Sequence, residues 1–161
     1  MTYAIVPGSF DPMTLGHLDL ISRVAEDYDR VTVAVMINDA KEYLFDMDTR
    51  VAIAKATVSG LENVDVIADR GMLIDLFDRL GADAVCKGVR NDADLLYERK
   101  MAEWNHEHNP RFSTALYRSK GDHSTLSSTE VRAMLERGES LDGVVHRDAI
   151  AIIHTFLKGK K

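Results

Sequence analysis

Tyr3-Ala4-Ile5-Val6-Pro7-Gly8-Ser9-Phe10-Asp11-Pro12-Met13-Thr14-Leu15-Gly16-His17 is the stretch on which the fold turns. Tyr3 to Val6 is a short apolar run that stops at Pro7 and Gly8, the pattern of a buried strand entering a loop. Beyond the loop, Leu18, Ile21, Ala25 and Tyr28 recur at helical spacing on one face, with Asp19, Ser22, Arg23 and Glu26 on the other. A strand feeding a helix through a Gly and Pro turn is the opening unit of an α/β fold.

The unit repeats along the chain. Val31 to Ile37 is a second strand, rich in Val and without alternation, as expected when both faces are covered. Asp48 is positioned to cap a helix running to about Val58, Val64 to Ala68 forms a third strand, and Leu73 to Leu80 a short helix closed by Gly81. Ala84 to Lys87 is a fourth strand, Ala93 to His108 a long helix ended by Asn109 and Pro110, and Ser113 to Tyr117 a fifth strand. Helices over Ser128 to Arg137 and Asp148 to about Leu157 complete the pattern. Such alternation specifies a Rossmann-like, doubly wound parallel sheet of five strands in a single domain, residues 1–161, with right-handed crossovers.

Composition narrows the function. The 161 residues are 45% hydrophobic and 29% charged, enough to bury one core, and no apolar run approaches the ~20 residues of a membrane span. Met1 to Pro7 is too short and uncharged for a signal peptide, so a cytoplasmic location is expected. The single cysteine, Cys86, follows Ala84 and Val85 and is expected to be a buried, reduced thiol. A net charge of -6 should repel nucleic acid, which makes the local clusters Lys87 to Arg90 and Arg118 to Lys120 distinctive. They point to a small anionic ligand in a cleft. His106 and His108, two apart on a helix, face different ways, and no metal site of protein ligands is expected from them.

In a doubly wound sheet ligands sit at the carboxyl ends of the strands. There the chain places Pro7 to His17, Asn38 to Phe45, Lys87 to Asp92 and Arg118 to Ser128. The first loop matches neither GxGxxG nor GxxxxGK[ST]. Gly8 and Gly16 permit close backbone approach, and a helix start at Gly16 would offer free N–H groups to an anion with His17 beside it. A Gly and Pro turn capped by a histidine explains the same residues equally well.

The segment Thr14-Leu15-Gly16-His17 resembles the T/HxGH signature of the nucleotidyltransferase superfamily, and Gly8 to His17 as a whole resembles the GSFDPxTxGH string of the phosphopantetheine adenylyltransferase family. The likeness runs in order from Gly8 to Arg132. It implies adenylyl transfer from ATP to 4'-phosphopantetheine, with Mg²⁺ held mainly by the ATP phosphates, assembly as a homohexamer, and coenzyme A as a feedback ligand. It implies that His17 stabilises the transition state, that Ser9 and Phe10 touch the substrates, and that Lys41 binds the acceptor phosphate together with Lys87, where the family usually has arginine. Other T/HxGH enzymes, cytidylyltransferases or nicotinamide mononucleotide adenylyltransferases, and a noncatalytic nucleotide-sensing module are the alternatives.

The remaining positions carry two explanations each. Lys87, Gly88, Val89 and Arg90 place two cations around a glycine at a strand end, suited to surrounding a polyphosphate. Resemblance makes Glu98 a nucleotide contact, where a helix surface would simply solvate it. Leu73 and Asn105, with Trp104, are expected by resemblance along the acceptor's arm; core packing is the ordinary alternative, for Trp104 above all. Leu126 to Arg132 resembles the ISSSxVR triphosphate motif; the resemblance implies ATP contacts from His123, Ser124, Thr125, Leu126, Ser127, Ser128 and Thr129, with His123 and Thr125 standing where the family often has aromatics. Ser127 and Glu130 also have capping-box spacing, and a capped helix start and a phosphate site are compatible.

Overall fold

The computed structural model describes residues 1–119 and 126–159. Strands β1 (Tyr3–Gly8), β2 (Arg30–Met36), β3 (Val64–Asp69), β4 (Ala84–Val89) and β5 (Thr114–Arg118) alternate with helices α1 (Leu15–Asp27), α2 (Met47–Val58), α3 (Leu73–Leu80) and α4 (Asp92–His108). Helices α5 (Ser128–Glu136) and α6 (Arg147–Gly159) follow. All strand pairs are parallel, in the order β3-β2-β1-β4-β5, so the expected doubly wound sheet is present. Among the described residues no helix is long and apolar enough to cross a membrane.

Alternation of side chains explains why the strands are apolar throughout. Ala4, Val6, Val31, Val33, Val35 and Cys86 enter one core with Ile21 and Val24 of α1, Ile53 of α2, Val131 of α5 and Ile153 of α6. Ile5, Ala34 and Val85 enter the other, against Leu76 and Phe77 of α3 and Phe112. Cys86 is buried as expected, and burial foremost pushes its thiol up to about 11.

The order of strands puts the topological switch between β1 and β4. There the register covers only Ala4 opposite Ala84 and Ile5 opposite Val85, although β1 continues to Gly8 and β4 to Val89. The two carboxyl ends run on without pairing to each other, each still paired to its outer neighbour, which opens a crevice between them.

Several boundaries differ from the sequence-based expectations. α1 starts at Leu15 with Thr14 as its cap, one residue before Gly16, and Tyr28 lies just beyond its end. Asp46, not Asp48, caps α2, accepting from the Thr49 N–H at 2.8 Å; Asp48 sits in the first turn, where a carboxylate also suits the helix dipole. β4 extends two residues past Lys87, so Gly88 and Val89 belong to the strand as well. Gly81 closes α3 as expected, in the left-handed conformation.

The loop between β1 and α1 is clamped from outside. Phe10 is buried with φ 47°, a left-handed conformation that a side chain adopts only at a cost, and the surroundings hold it there. Arg50, 1% exposed, donates to the carbonyls of Ser9 (2.8 Å), Met36 (3.2 Å) and Phe45 (3.2 Å) and lies over the Tyr43 ring. Arg132 donates to the Asp11 carbonyl and Ser128 to the Pro12 carbonyl, each at 2.7 Å. The buried Asp11 carboxylate in turn accepts the Leu44 and Phe45 amides at 2.9 Å. Replacing Arg50 with Ala leaves three carbonyls without their donor, and stability is expected to fall by about 3 kcal/mol or more. Urea unfolding followed by circular dichroism checks this as a lower midpoint at unchanged slope.

Candidate active site

The crevice at the switch point is a cavity of about 460 Å³. β1 and its loop contribute Val6 to Phe10, α1 Gly16, His17 and Leu20, and the loop after β2 contributes Lys41. β4 and its exit supply Lys87, Gly88 and Arg90, α4 supplies Asp94, Tyr97 and Glu98, and Ser119, Leu126, Ser127 and Ser128 close the remaining side. Residues as far apart in the chain as Val6 and Ser128 therefore meet at one rim of the sheet.

Two glycines permit this approach. A Cβ on Gly8 would stand 2.8 Å from Cζ of Phe10, which only glycine avoids without displacing that ring. A Cβ on Gly88 would come within 3.3 Å of Leu20 Cδ2, so α1 and β4 are close because residue 88 has no side chain.

His17 occupies the third position of α1, where its ring turns back onto its own cap. The Thr14 main-chain N–H donates to His17 Nδ1 at 3.0 Å, and Thr14 Oγ1 accepts the His17 N–H at 3.3 Å. This is a reciprocal capping box with histidine in the place of the usual Glu or Gln, which is why the pattern was not visible in the sequence. A main-chain N–H can only donate, so Nδ1 is the acceptor and Nε2 carries the proton. Phe10 packs edge-on against the imidazole, with ring centroids 5.0 Å apart. Burial, and after it the Arg90 charge, hold the His17 pKa down at about 4. The capping explanation of this loop is realised, and the same ring lines the cleft.

The cations differ in their availability. Lys41 is exposed and has no ion pair among the described residues. Lys87 Nζ lies 3.1 Å from Glu98 Oε2, without the alignment of a hydrogen bond. Arg90 is held by Asp94, whose Oδ2 accepts from the Arg90 N–H at 3.1 Å and from Nε at 3.3 Å. Among the described lining residues, three cations therefore face two carboxylates. Asp94 and Glu98 are engaged by cations, and no group of three or more metal-ligating side chains occurs among the described residues.

The structure does not bring every expected residue to the cleft. Ser9 is there, its Oγ 3.4 Å from the Tyr43 hydroxyl. Val89 is buried and turned from the lining, although its carbonyl accepts from Ser119 N–H at 2.9 Å. Thr129 is exposed beside Arg132 rather than in the cavity, while Ser127 caps α5 through the Glu130 N–H. The expected box is half formed, because the Glu130 carboxylate pairs with Arg137. Leu73 packs against the second core, and Asn105 is buried on α4; neither lines the cavity. Trp104 is not a core residue: it is 43% exposed and stacked on His108 at 3.8 Å. His123, Ser124 and Thr125 lie outside the described residues. Tyr97, Asp94 and Leu20 were not expected as lining. The i, i+4 acidic pair Asp94 and Glu98 was the available signal, being on the face of α4 that follows the cation-bearing strand.

The family model described as cytidylyltransferase-like matches residues 5–134 of the chain. The chain is 44% identical over 138 residues to the phosphopantetheine adenylyltransferase of Limosilactobacillus reuteri (strain DSM 20016), covering 86% of this chain and 80% of that one. It is 36% identical to the phosphopantetheine adenylyltransferase of Clostridium botulinum (strain Alaska E43 / Type E3), covering 94% and 95%, and 34% identical to that of Lachnoclostridium phytofermentans, covering 100% and 99%. A crystal structure of a candidate nicotinate-nucleotide adenylyltransferase from Vibrio parahaemolyticus superposes with a TM-score of 0.77 over 96% of this chain and 93% of that one. At 20% identity that likeness concerns the fold alone.

A histidine whose folded-state pKa is lowered stabilises the fold while it is neutral, so its contribution is complete above about 6.5 and is lost as pH falls toward about 4. In the unliganded protein, ¹⁵N shifts of His17 are expected to report the Nε2–H tautomer throughout that interval, with protonation only near pH 4. Titration of this ring near pH 6.5 would contradict the assignment.

Proposed function

The chain belongs to the cytidylyltransferase-like family and, within it, to the phosphopantetheine adenylyltransferases, and we propose from this that it transfers the adenylyl group of ATP to 4'-phosphopantetheine, giving dephospho-coenzyme A and pyrophosphate. The observation that carries the reading to particular residues is the convergence of His17, Lys41, Lys87, Arg90 and the start of α5 around one cavity at the switch point.

A phosphate monoester is already anionic near neutral pH, so its oxygen attacks the α-phosphorus of ATP without a general base. The P–O bond to the β-phosphate breaks as the new one forms, and pyrophosphate leaves with the electron pair. What the protein must supply is alignment and charge stabilisation. Lys41, without an ion pair among the described residues, takes the acceptor phosphate, and Lys87 joins it by sharing or leaving Glu98. Arg90 and the first turn of α5, with Ser127 and Ser128, hold the β and γ phosphates; the first amides of a helix lack intrahelical partners and favour an anion. His17 presents Nε2–H to the charge that grows on the α-phosphoryl oxygens. A neutral, fixed donor suits this role, since it adds no proton of its own and needs no reorientation.

Three cations against two carboxylates leave the described cleft far short of the charge of ATP and a second phosphate. This supports Mg²⁺ as the further counter-ion, held mainly by the ATP phosphates because the cleft's two carboxylates are engaged by cations. The resemblance further supports a homohexamer, with the exposed Leu96, Tyr97, Met101 and Trp104 on α4 as apolar surface for a neighbouring copy. Coenzyme A, which shares the pantetheine arm and adenylyl group of the product, is the expected feedback ligand, and a cytoplasmic location fits this chemistry.

Mixing the protein with Mg-ATP and 4'-phosphopantetheine is expected to yield dephospho-coenzyme A by mass spectrometry; its absence, with pyrophosphate released from another acceptor, would overturn the substrate assignment. His17→Ala is expected to lower kcat by about 10²–10³, with a modest fall in melting temperature because the Thr14 N–H loses its cap partner.

A further inference from the structure

Arg90 enters the cleft from the end of β4 with nearly half of its side chain exposed. An arginine so placed has many rotamers, and holding it in one orientation costs side-chain entropy when a ligand must do the work. In this structure the work is already done by a neighbour on α4. Asp94 Oδ2 accepts both the Arg90 main-chain N–H and Nε–H, so a single oxygen fixes the origin and the axis of the side chain. Asp94 is itself tied down: its own N–H donates to Asn91 Oδ1, the cap of α4, at 2.9 Å.

The use of Nε is the informative detail. It leaves both terminal nitrogens of Arg90 without a partner among the described residues, and they form the edge of the guanidinium that grips two phosphate oxygens at once. Lys87 shows the contrast, since its partner Glu98 occupies the same ammonium that a phosphate would need. Arg90 also lines the same cavity as His17, the proposed transition-state donor.

We propose that Asp94 is a positioning residue for nucleotide binding, locking Arg90 through its main-chain and Nε hydrogens so that its two terminal NH₂ groups are presented to the polyphosphate. The assignment rests on the reading of the cleft as an ATP site. It is not an ion-pair stabilisation, because an exposed pair of this kind contributes ~0–1 kcal/mol. Two effects oppose each other when the carboxylate is removed. The polyphosphate loses a repelling charge, and Arg90 loses its orientation; orientation dominates because the repulsion is already offset by the guanidinium that Asp94 touches.

The test is titration calorimetry of Mg-ATP into the full chain, without acceptor, alongside steady-state kinetics. Asp94→Ala is expected to weaken ATP binding by about tenfold, the loss of charge-assisted hydrogen bonds, with KM for ATP raised similarly and kcat at saturating ATP little changed. Asp94→Asn, whose amide oxygen still accepts both hydrogens, is expected to bind ATP within about twofold of the unaltered protein. In an Arg90→Ala background, Asp94→Ala should add no further loss, which a general effect on the fold would not produce. ATP binding by Asp94→Ala as tight as or tighter than the unaltered protein, an Asn variant as weak as the Ala variant, or losses that add across the cycle would each overturn the proposal. Failure of the unaltered protein to bind Mg-ATP would instead overturn the reading of the cleft, and the assignment with it.

Discussion

The structure depends on the way the β1–α1 loop is held. Its carbonyls at Ser9, Asp11 and Pro12 are each taken by a side chain from a distant segment, Arg50 of α2, Arg132 of α5 and Ser128 at the start of α5. The Asp11 carboxylate then receives two amides of the segment leading into α2. A short loop between a buried strand and a helix has carbonyls that need partners, and satisfying them here draws α2 and α5 onto the same point. The same contacts maintain Phe10 in its left-handed conformation and set it edge-on to His17. One hydrogen-bonding requirement therefore arranges Ser9, His17 and the start of α5 around the crevice that the splayed ends of β1 and β4 leave open.

The electrostatics of the cleft follow from what surrounds it. Glu98 and Asp94, four residues apart on α4, meet Lys87 and Arg90 of the neighbouring strand end, so the unliganded site is nearly neutral rather than a concentration of repelling cations. Under the proposed function, binding of a polyphosphate exchanges or shares partners instead of filling a bare positive pocket. His17 adds no charge, because burial and Arg90 favour the neutral ring and the Thr14 amide chooses its tautomer. The cleft thus combines a neutral ring held by its cap, His17, with an arginine, Arg90, held by two hydrogen bonds to Asp94; the proposed function uses both for electrostatic stabilisation.

Much of this was legible along the chain. Apolar strands alternating with amphipathic helices specified the doubly wound sheet, and the rule that ligands sit at its carboxyl edge selected the loops that do line the cavity. Other features were illegible for definable reasons. The capping box at Thr14 was hidden because histidine takes the place of the acidic residue that marks such boxes, while the marked one at Ser127 forms only in part because Arg137 draws Glu130 away. Trp104 looked like core because size and apolarity predict burial, yet α4 turns that side outward and His108 stacks on it. Arg50 gave no signal at all: a guanidinium within a helix is ordinary until three carbonyls from separate segments surround it.

What the sequence by itself determined are properties local in the chain: the period of each element, the Gly and Pro turns, and the motif from Gly8 to His17 whose resemblance implies the chemistry. Only the tertiary structure decided which nitrogen of His17 carries the proton, which cations of the cleft are already paired, and which of the motif's hydroxyls reach the cavity. The physical reason is range. Propensity and periodicity act over a few residues, whereas hydrogen bonds, burial and charge pairing depend on distances through space that the chain sets only once it has folded.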